Sequence, residues 1–249
     1  SKGTRATMLE PAKSDLINPD CLTVGINLGN ILLVTGTSPI GEPQGVAPDM
    51  AAALARRLGV AVSYITYATP GAVADAAAHD EWDVGLIAIE PERAAVIDFC
   101  DAYVEIAATY LVPAGSSLQR VDDVDQAGVR IAVSDRSAYD LFLSRHLKHA
   151  ELCRAPGLAG AFELFAAEQL DALAGLVPAL KDNAENLPGS RVLEGSYTSV
   201  CQAIGTRPGN TALNDFTRAF IADAKSSGLV AELIEKHGVT GKLQVAGNY

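Results

Sequence analysis

Residues 83–103 read DVGLIAIEPERAAVIDFCDAY. The run from Val84 to Ile89 is apolar throughout, as in a strand buried on both faces. Glu90-Pro91-Glu92-Arg93 interrupts it. Glu90 reads as a helix N-cap and Pro91 as the first helical residue, where a missing N–H is harmless and the fixed φ already suits a helix. Arg93 then falls in the first helical turn, at the carboxyl end of a buried strand. A second apolar stretch closes on Phe99-Cys100-Asp101-Ala102-Tyr103.

A strand that hands over to a helix is the repeating unit of an α/β sheet, and the flanking sequence repeats it. Upstream, Cys21 to Asn27 reads as a strand ending in polar loop residues. Gly45-Val-Ala-Pro48-Asp49 opens a helix whose Met50, Leu54 and Leu58 recur every fourth residue. Arg56 and Arg57 occupy its last turn and Gly59 stops it. Val60 to Tyr67 is a second strand, residues 70–79 a short Ala-rich helix, and Trp82 to Ile89 the third strand.

Downstream, Ile106 to Val112 is apolar without helical period, and Pro113-Ala-Gly-Ser-Ser117 follows. A second series then begins. Its strands are Val129–Val133 and Leu170–Ala174. Its helices carry the face Tyr139, Phe142, Leu143 and Leu147, then Leu158 to Ala167, then a segment opened by Pro178. Val200 to Ile204 is extended, and residues 210–225 and 230–236 are helical with Gly228 and Gly238 as breaks. Residues 1–20 lack clear periodicity and are expected to form an ordered but irregular arm, or a partly disordered one.

The expected class is therefore α/β with two lobes. Lobe 1 is assigned 21–105 and 203–249, lobe 2 is assigned 112–197, and 106–111 and 198–202 are the hinge segments. Ligands bind beyond the carboxyl ends of strands in such sheets, so two facing lobes would place those ends across a cleft.

The chain has 249 residues, 49% of them hydrophobic, with a net charge of −11. That acidity argues against nucleic acid and anionic membrane surfaces as main partners, since both attract clustered Lys and Arg. No apolar run reaches the roughly 18 residues that span a bilayer. Residue 1 is Ser, and a leader removed before it is the expectation.

The four cysteines, Cys21, Cys100, Cys153 and Cys201, form no CxxC pair. They allow three disulfide connectivities or none. Each has apolar neighbours, so buried free thiols are the first reading.

Catalytic patterns are missing: the sequence has no GxSxG, HExxH, P-loop or GxGxxG. His146 and His149 read as i, i+3 partners on one helix, a solvated face rather than a metal pair. His79 and His237 stand beside helix ends. Arg93 has two readings. A guanidinium at a strand's carboxyl end can grip a carboxylate with two parallel hydrogen bonds, or it can be a surface group paired with Glu90 or Asp98.

Residues 22–245 resemble the family 3 periplasmic solute-binding proteins, which serve ABC transporters of polar amino acids. The similar stretches are the strand at 22–27, GVAPDMAAALARRLGV at 45–60, WDVGLIAIEPERAAVIDFCDAY at 82–103 and GVRIAV at 128–133. LDALAGLVPAL at 170–180, QAIGTRPGN at 202–210 and the region of Gly228-Leu-Val230 continue the likeness. Pro91-Glu92-Arg93 followed by Phe99 to Tyr103 is the most specific part, similar to the family's Thr-x-Thr-Pro-Glu-Arg and Phe-Ser-x-Pro-Tyr.

The resemblance implies the type II periplasmic-binding-protein fold, with two hinge strands and a ligand trapped by lobe closure. It implies that Arg93 holds the ligand carboxylate. It also implies that the loop Ser134-Asp-Arg-Ser137 and the helix starting near Ala138 add a second clamp through free N–H groups. Ser137 serves equally as a plain N-cap. Asn27 and Asn30 stand where the family places a polar ligand contact, and they read equally as loop-shaping residues.

Two positions depart from the family. Ala88 replaces its ligand-binding Thr or Ser, and Leu176 stands where its ammonium-binding Asp is expected. A buried ammonium needs a counter-charge, which Glu90 or Asp135 would have to supply. The expected function is an extracytoplasmic receptor of an ABC importer for a small carboxylate-bearing solute. It would be periplasmic, lipid-anchored or secreted, monomeric, partnered by a membrane permease, and without cofactor, metal or catalysis. The alternatives are a sensor domain and a dehydratase-like enzyme on the same scaffold, which would need a glutamate near Leu176.

Overall fold

The computed structural model describes residues 2–247, with side chains from residue 8 onward. The chain opens with α1 (Lys2–Ser14), β1 (Cys21–Asn27), the short strands β2 (Gly36–Thr37) and β3 (Pro43–Gln44), and α2 (Val46–Leu58). β4 (Ala61–Tyr67), α3 (Pro70–Ala76), β5 (Val84–Ala88), α4 (Pro91–Ala94), β6 (Asp98–Phe99) and β7 (Val104–Val112) follow. Next come β8 (Arg130–Ser134), α5 (Ala138–His146), β9 (Glu151–Ala155), α6 (Gly157–Ala167), β10 (Ala172–Leu176), α7 (Val177–Glu185) and β11 (Arg191–Val192). β12 (Thr198–Thr206), α8 (Thr211–Ser226), α9 (Leu229–Lys236) and β13 (Gln244–Val245) complete it.

Two compact units result. Unit 1 runs to Glu105 and resumes at Cys201, and unit 2 is Ile106–Val200. Both crossings fall inside strands, β7 and β12.

In unit 1 the strand order is β4-β1-β5-β12. β1 runs parallel to β4 and β5, because α2 and α3 are the crossovers that parallel neighbours require. β12 returns antiparallel to β5, and β6 adds to β12. α2 buries Met50, Leu54 and Leu58 completely, and Gly59 ends it with φ 71°, a left-handed conformation that a side chain would strain. Trp82 is fully buried and its indole N–H donates to Val73 O at 3.0 Å. A Cβ on Gly25 or Gly85 would lie 2.8 or 2.9 Å from that ring, so β1 and β5 reach the indole only because both residues lack one.

The arm expected to be irregular is helical. α1 packs against α8 and α2, with Ala12 buried, and Asp15 accepts the N–H of Leu213 at 2.9 Å at the start of α8. Its own sequence shows little of this. Pro11 interrupts it, and its packing partner α8 is distant in sequence.

Asp49, in the first turn of α2, bonds Lys236 at 2.9 Å and His237 at 2.7 Å. Burial pushes its carboxyl up, but the hydrogen bonds with Lys236 and His237 outweigh that and hold it below the usual range. A depressed carboxyl contributes stability above its unfolded pKa and loses it as pH falls through the folded one. Asp49→Asn is expected to lower stability by about 0.5–1 kcal/mol at pH 7 and to flatten the acid limb below roughly pH 4, as read by urea unfolding across pH. An acid limb as steep as that of the native chain would remove Asp49 from that role.

In unit 2 the order is β7-β10-β8-β9, with β10, β8 and β9 parallel and β7 antiparallel to β10. β11 pairs with β7. Leu111, Ala132, Ala161, Phe165, Leu173 and Leu180 share one apolar core. β9 escaped the sequence reading because Glu151-Leu-Cys-Arg-Ala155 is a short edge strand with mixed polarity.

His146 and His149 do not share a helix. α5 ends at His146, whose ring stacks on Phe142, and His149 lies beyond it with its N–H on Asp125. No group of three His, Cys, Asp or Glu among the described residues is arranged to hold a metal. The four cysteines are free thiols, but only Cys100 is buried; Cys21, Cys153 and Cys201 are half-buried. No described helix is long and apolar enough to cross a membrane.

Candidate functional site

In unit 1 the carboxyl ends of β1 and β5 carry the polar residues. Asn27 closes β1 and accepts the N–H of Gly29 at 2.8 Å. Asn30 accepts from Leu32 at 3.0 Å and Leu33 at 3.2 Å. Both carbonyl oxygens therefore shape the loop, as Asx turns do.

β5 ends at Ala88, which is buried. Glu90 follows in extended conformation as the N-cap of the single turn α4, although its side chain makes no capping bond. Arg93 is only 3% exposed, and its Nη1 donates to Ala88 O at 3.0 Å. Arg93 is therefore not a surface group. The guanidinium is folded back onto the strand end that precedes it.

Two further residues stand at this end: Cys201, read from sequence only as a free thiol, and Glu105, not singled out there. Cys201 accepts the N–H of Ile89 through its backbone carbonyl at 2.8 Å, which brings β12 beside the end of β5. Glu105 lies on β7, two residues beyond Tyr103, whose N–H donates to Gln202 O at 2.9 Å. Burial, then Glu105, then Glu90 push the Cys201 thiol up. A carboxylate opening an otherwise apolar strand was the signal that could have found Glu105.

In unit 2, β8 ends at Ser134 and α5 begins at Ala138, both buried. Ser137 is the N-cap: its Oγ accepts the N–H of Asp140 at 3.1 Å and donates to Ser134 O at 2.8 Å. Arg136 sits between them at φ 58°. Asp140 anchors this turn. It accepts the Arg136 N–H at 2.8 Å and the Arg154 Nε–H at 3.0 Å. Burial pushes the Tyr139 phenol up to about 12, while hydrogen bonds with Ser137 and Ser134 pull the other way.

Tyr110 and Tyr197 pack together at 4.7 Å between ring centroids. The Tyr197 hydroxyl is buried, and burial pushes it well above the usual phenol range. Leu176, at the end of β10, is 8% exposed. The serines and Ala138 of this unit are thus gathered at one helix start. Leu176 ends the antiparallel partner of β7, where it pairs with Ala108.

With this geometry in hand, comparison with known proteins gives consistent results. The family model described as bacterial extracellular solute-binding proteins, family 3, matches residues 23–240. No curated protein matches the sequence. Among solved structures, a mutant of ArgBP from T. maritima aligns at TM-score 0.73 and 22% identity, covering 93% of this chain and 99% of that one. The ancestral amino acid-binding protein AncCDT-1, a precursor of cyclohexadienyl dehydratase, aligns at 0.72 and 23%, covering 92% and 98%. The substrate binding protein of an amino acid ABC transporter aligns at 0.71 and 20%, covering 87% and 98%. At these identities the likeness establishes the two-lobed type II binding-protein fold.

Proposed function

The chain belongs to the family 3 bacterial extracellular solute-binding proteins, and from that premise we propose that it is an extracytoplasmic receptor that captures a small carboxylate-bearing solute for an ABC importer. The observation that carries this reading is Arg93. It is a buried guanidinium at the carboxyl end of a buried parallel strand, where α/β sheets bind ligands. Its planar fork suits a carboxylate held by two parallel bonds. The N-terminus of α5, with Ser137 as cap, supports the same reading, since N–H groups there favour an anion.

Binding rather than catalysis is proposed because Leu176 has no titratable group. A dehydratase on this scaffold would need an acid at that position. The amino acid-binding proteins among the structural neighbours favour an amino acid or amino-acid-like acid as ligand.

The test is a thermal-shift screen on protein unfolded and refolded to strip carried-over ligand. A carboxylate at 100 times its dissociation constant stabilises by about 2.7 kcal/mol, visible as a shift of several degrees. Silence from every carboxylate would overturn the receptor reading. Leu176→Asp supplies a second check. It is expected to raise the preference for amino acids over matched carboxylates lacking the amine by about tenfold, because a counter-charge near an ammonium adds roughly 1.4 kcal/mol or more. An unchanged ratio would place Leu176 away from the ligand.

A further inference from the structure

β4 stands at the end of the strand order in unit 1, with β1 as its only strand neighbour among the described residues. The two pair in parallel over the whole length of β4, from Ala61 opposite Cys21 to Tyr67 opposite Asn27, without a bulge. Ala61 N–H donates to Asp20 O at 3.1 Å, and Tyr67 O accepts the N–H of Leu28 at 2.9 Å. Backbone groups along a strand point alternately to its two sides. Those of Ala61, Ser63, Ile65 and Tyr67 therefore meet β1. Those of Val62, Tyr64 and Thr66 point away from it, and no bond among the described residues reaches them.

An open row of N–H and C=O groups is a template for a further strand, and proteins blunt such edges with charge, proline, bulges or short strands. The edge strand of unit 2, β9, has five residues that include Glu151 and Arg154. β4 has seven, Ala-Val-Ser-Tyr-Ile-Thr-Tyr, with no charge and no proline. α2 and α3 pack on its faces, yet none of its residues is buried, and Ala61, Ser63 and Thr66 are exposed. The Tyr64 hydroxyl donates to Pro48 O of α2 at 3.0 Å, so Tyr64 and its neighbours Val62 and Thr66 share the α2 face.

Self-complementarity names the occupant. A twofold axis through Tyr64 sets β4 antiparallel to the same strand of a second copy. Tyr64 then faces its own counterpart, and Val62 faces the second copy's Thr66. These are the residues whose backbone groups point outward, so each facing pair exchanges both of its N–H···O bonds. Val62 and Thr66 are both β-branched, a favourable cross-strand pair. The alternate pairs, Ala61 with Tyr67 and Ser63 with Ile65, oppose no like charges. Such an isologous contact closes after two copies and uses up the edge.

We propose that β4 is a self-association edge, through which two copies of this chain pair antiparallel about Tyr64 into one continuous sheet. This departs from the monomer that the family resemblance implied, and it does not rest on the receptor reading. Along about 23 Å of strand the contact reaches only the low end of specific interfaces, under roughly 1,200 Å². The dimer is therefore weak, with a Kd of roughly 10–100 μM. Each copy carries a net charge of −11 while the contact itself is uncharged, so salt tightens the dimer by screening the repulsion between copies.

Sedimentation equilibrium of the full chain at up to about 0.5 mM tests this. A monomer–dimer equilibrium is expected, tighter in roughly 500 mM than in roughly 50 mM NaCl. Thr66→Glu sets a carboxylate against Val62 in both halves of the contact and should weaken the dimer by about tenfold or more. The double variant Val62→Lys with Thr66→Glu places opposite charges across the axis and should regain about fivefold of that loss. Within one copy the two positions are about 13 Å apart along the strand, so that pair forms only between copies. Thr66→Pro removes an outward N–H without touching the ladder to β1 and should also abolish pairing. Melting temperatures report whether each variant folds.

A chain that stays monomeric at that concentration overturns the proposal, whether the edge then takes another protein's strand or only water. A dimer left unchanged by Thr66→Glu and by Thr66→Pro places the contact elsewhere and overturns it too. A dimer weakened by salt contradicts an uncharged contact. A double variant no tighter than Thr66→Glu alone rules out pairing about Tyr64, and with it the proposal.

Discussion

Arg93→Met is expected to weaken the binding of every carboxylate-bearing solute by about 100-fold or more. The physical basis is the loss of a charge-assisted, two-pronged contact in a buried setting, where removing one charged partner costs about 2–5 kcal/mol. Met fills much of the volume without the guanidinium. The unliganded protein should lose less, about 1–2 kcal/mol, because Ala88 O gives up the donor that Arg93 Nη1 supplies at 3.0 Å. Arg93→Lys is the sharper comparison. It keeps the charge but not the fork, and it should recover only a minor part of the affinity. Calorimetry for binding and urea unfolding for stability separate the two effects. A Met variant with native affinity would remove Arg93 from the site.

Asp83→Ala is expected to destabilise the protein by about 3–5 kcal/mol, the largest stability effect foreseen here. Asp83 is fully buried, and its two oxygens accept the N–H of Ile17 and the N–H of Thr23, each at 2.8 Å. Arg207 Nη2 lies 3.8 Å away. One side chain therefore ties the segment after α1 to the first strand and to the entry of β5. Alanine would leave two part-buried N–H groups without this acceptor and Arg207 without this counter-charge. Asp83→Asn keeps one acceptor and should cost less, about 1–3 kcal/mol.

The pH dependence separates Asp83 from Asp49. Burial pushes the Asp83 carboxyl above its usual range, and the N–H bonds and Arg207 only partly offset that. A carboxyl raised in the folded state loses stability as pH rises from the unfolded to the folded pKa, so Asp83 does not drive acid unfolding. Of these two carboxyls, only Asp49 contributes to the acid limb. A midpoint in urea unchanged by Asp83→Ala would refute the anchoring role.

The sequence by itself determined what nearest neighbours control. Gly59 stops α2, Pro91 opens α4 after Glu90, and Ser137 caps α5, because each depends on φ or on an N–H within a few residues. The α/β alternation was equally legible, since buried strands and amphipathic helices differ in period. Arg93 at the end of β5 and Leu176 at the end of β10 were likewise put on their elements by those local patterns.

Only the tertiary structure decided the rest. Arg93 reads the same in sequence whether exposed or buried, and its burial follows from how α4 folds back on β5. Asp83 became an anchor through partners 60 and 66 residues away. Glu105 has an oxygen buried, with no hydrogen-bond partner among the described residues, where β7 lies beside β12, which returns about 100 residues later. The helix at the N-terminus exists against α8, at the other end of the chain. Periodicity records which face of an element is apolar. It carries no record of which distant element will cover that face, and burial, charge pairing and unmet hydrogen bonds depend on that pairing.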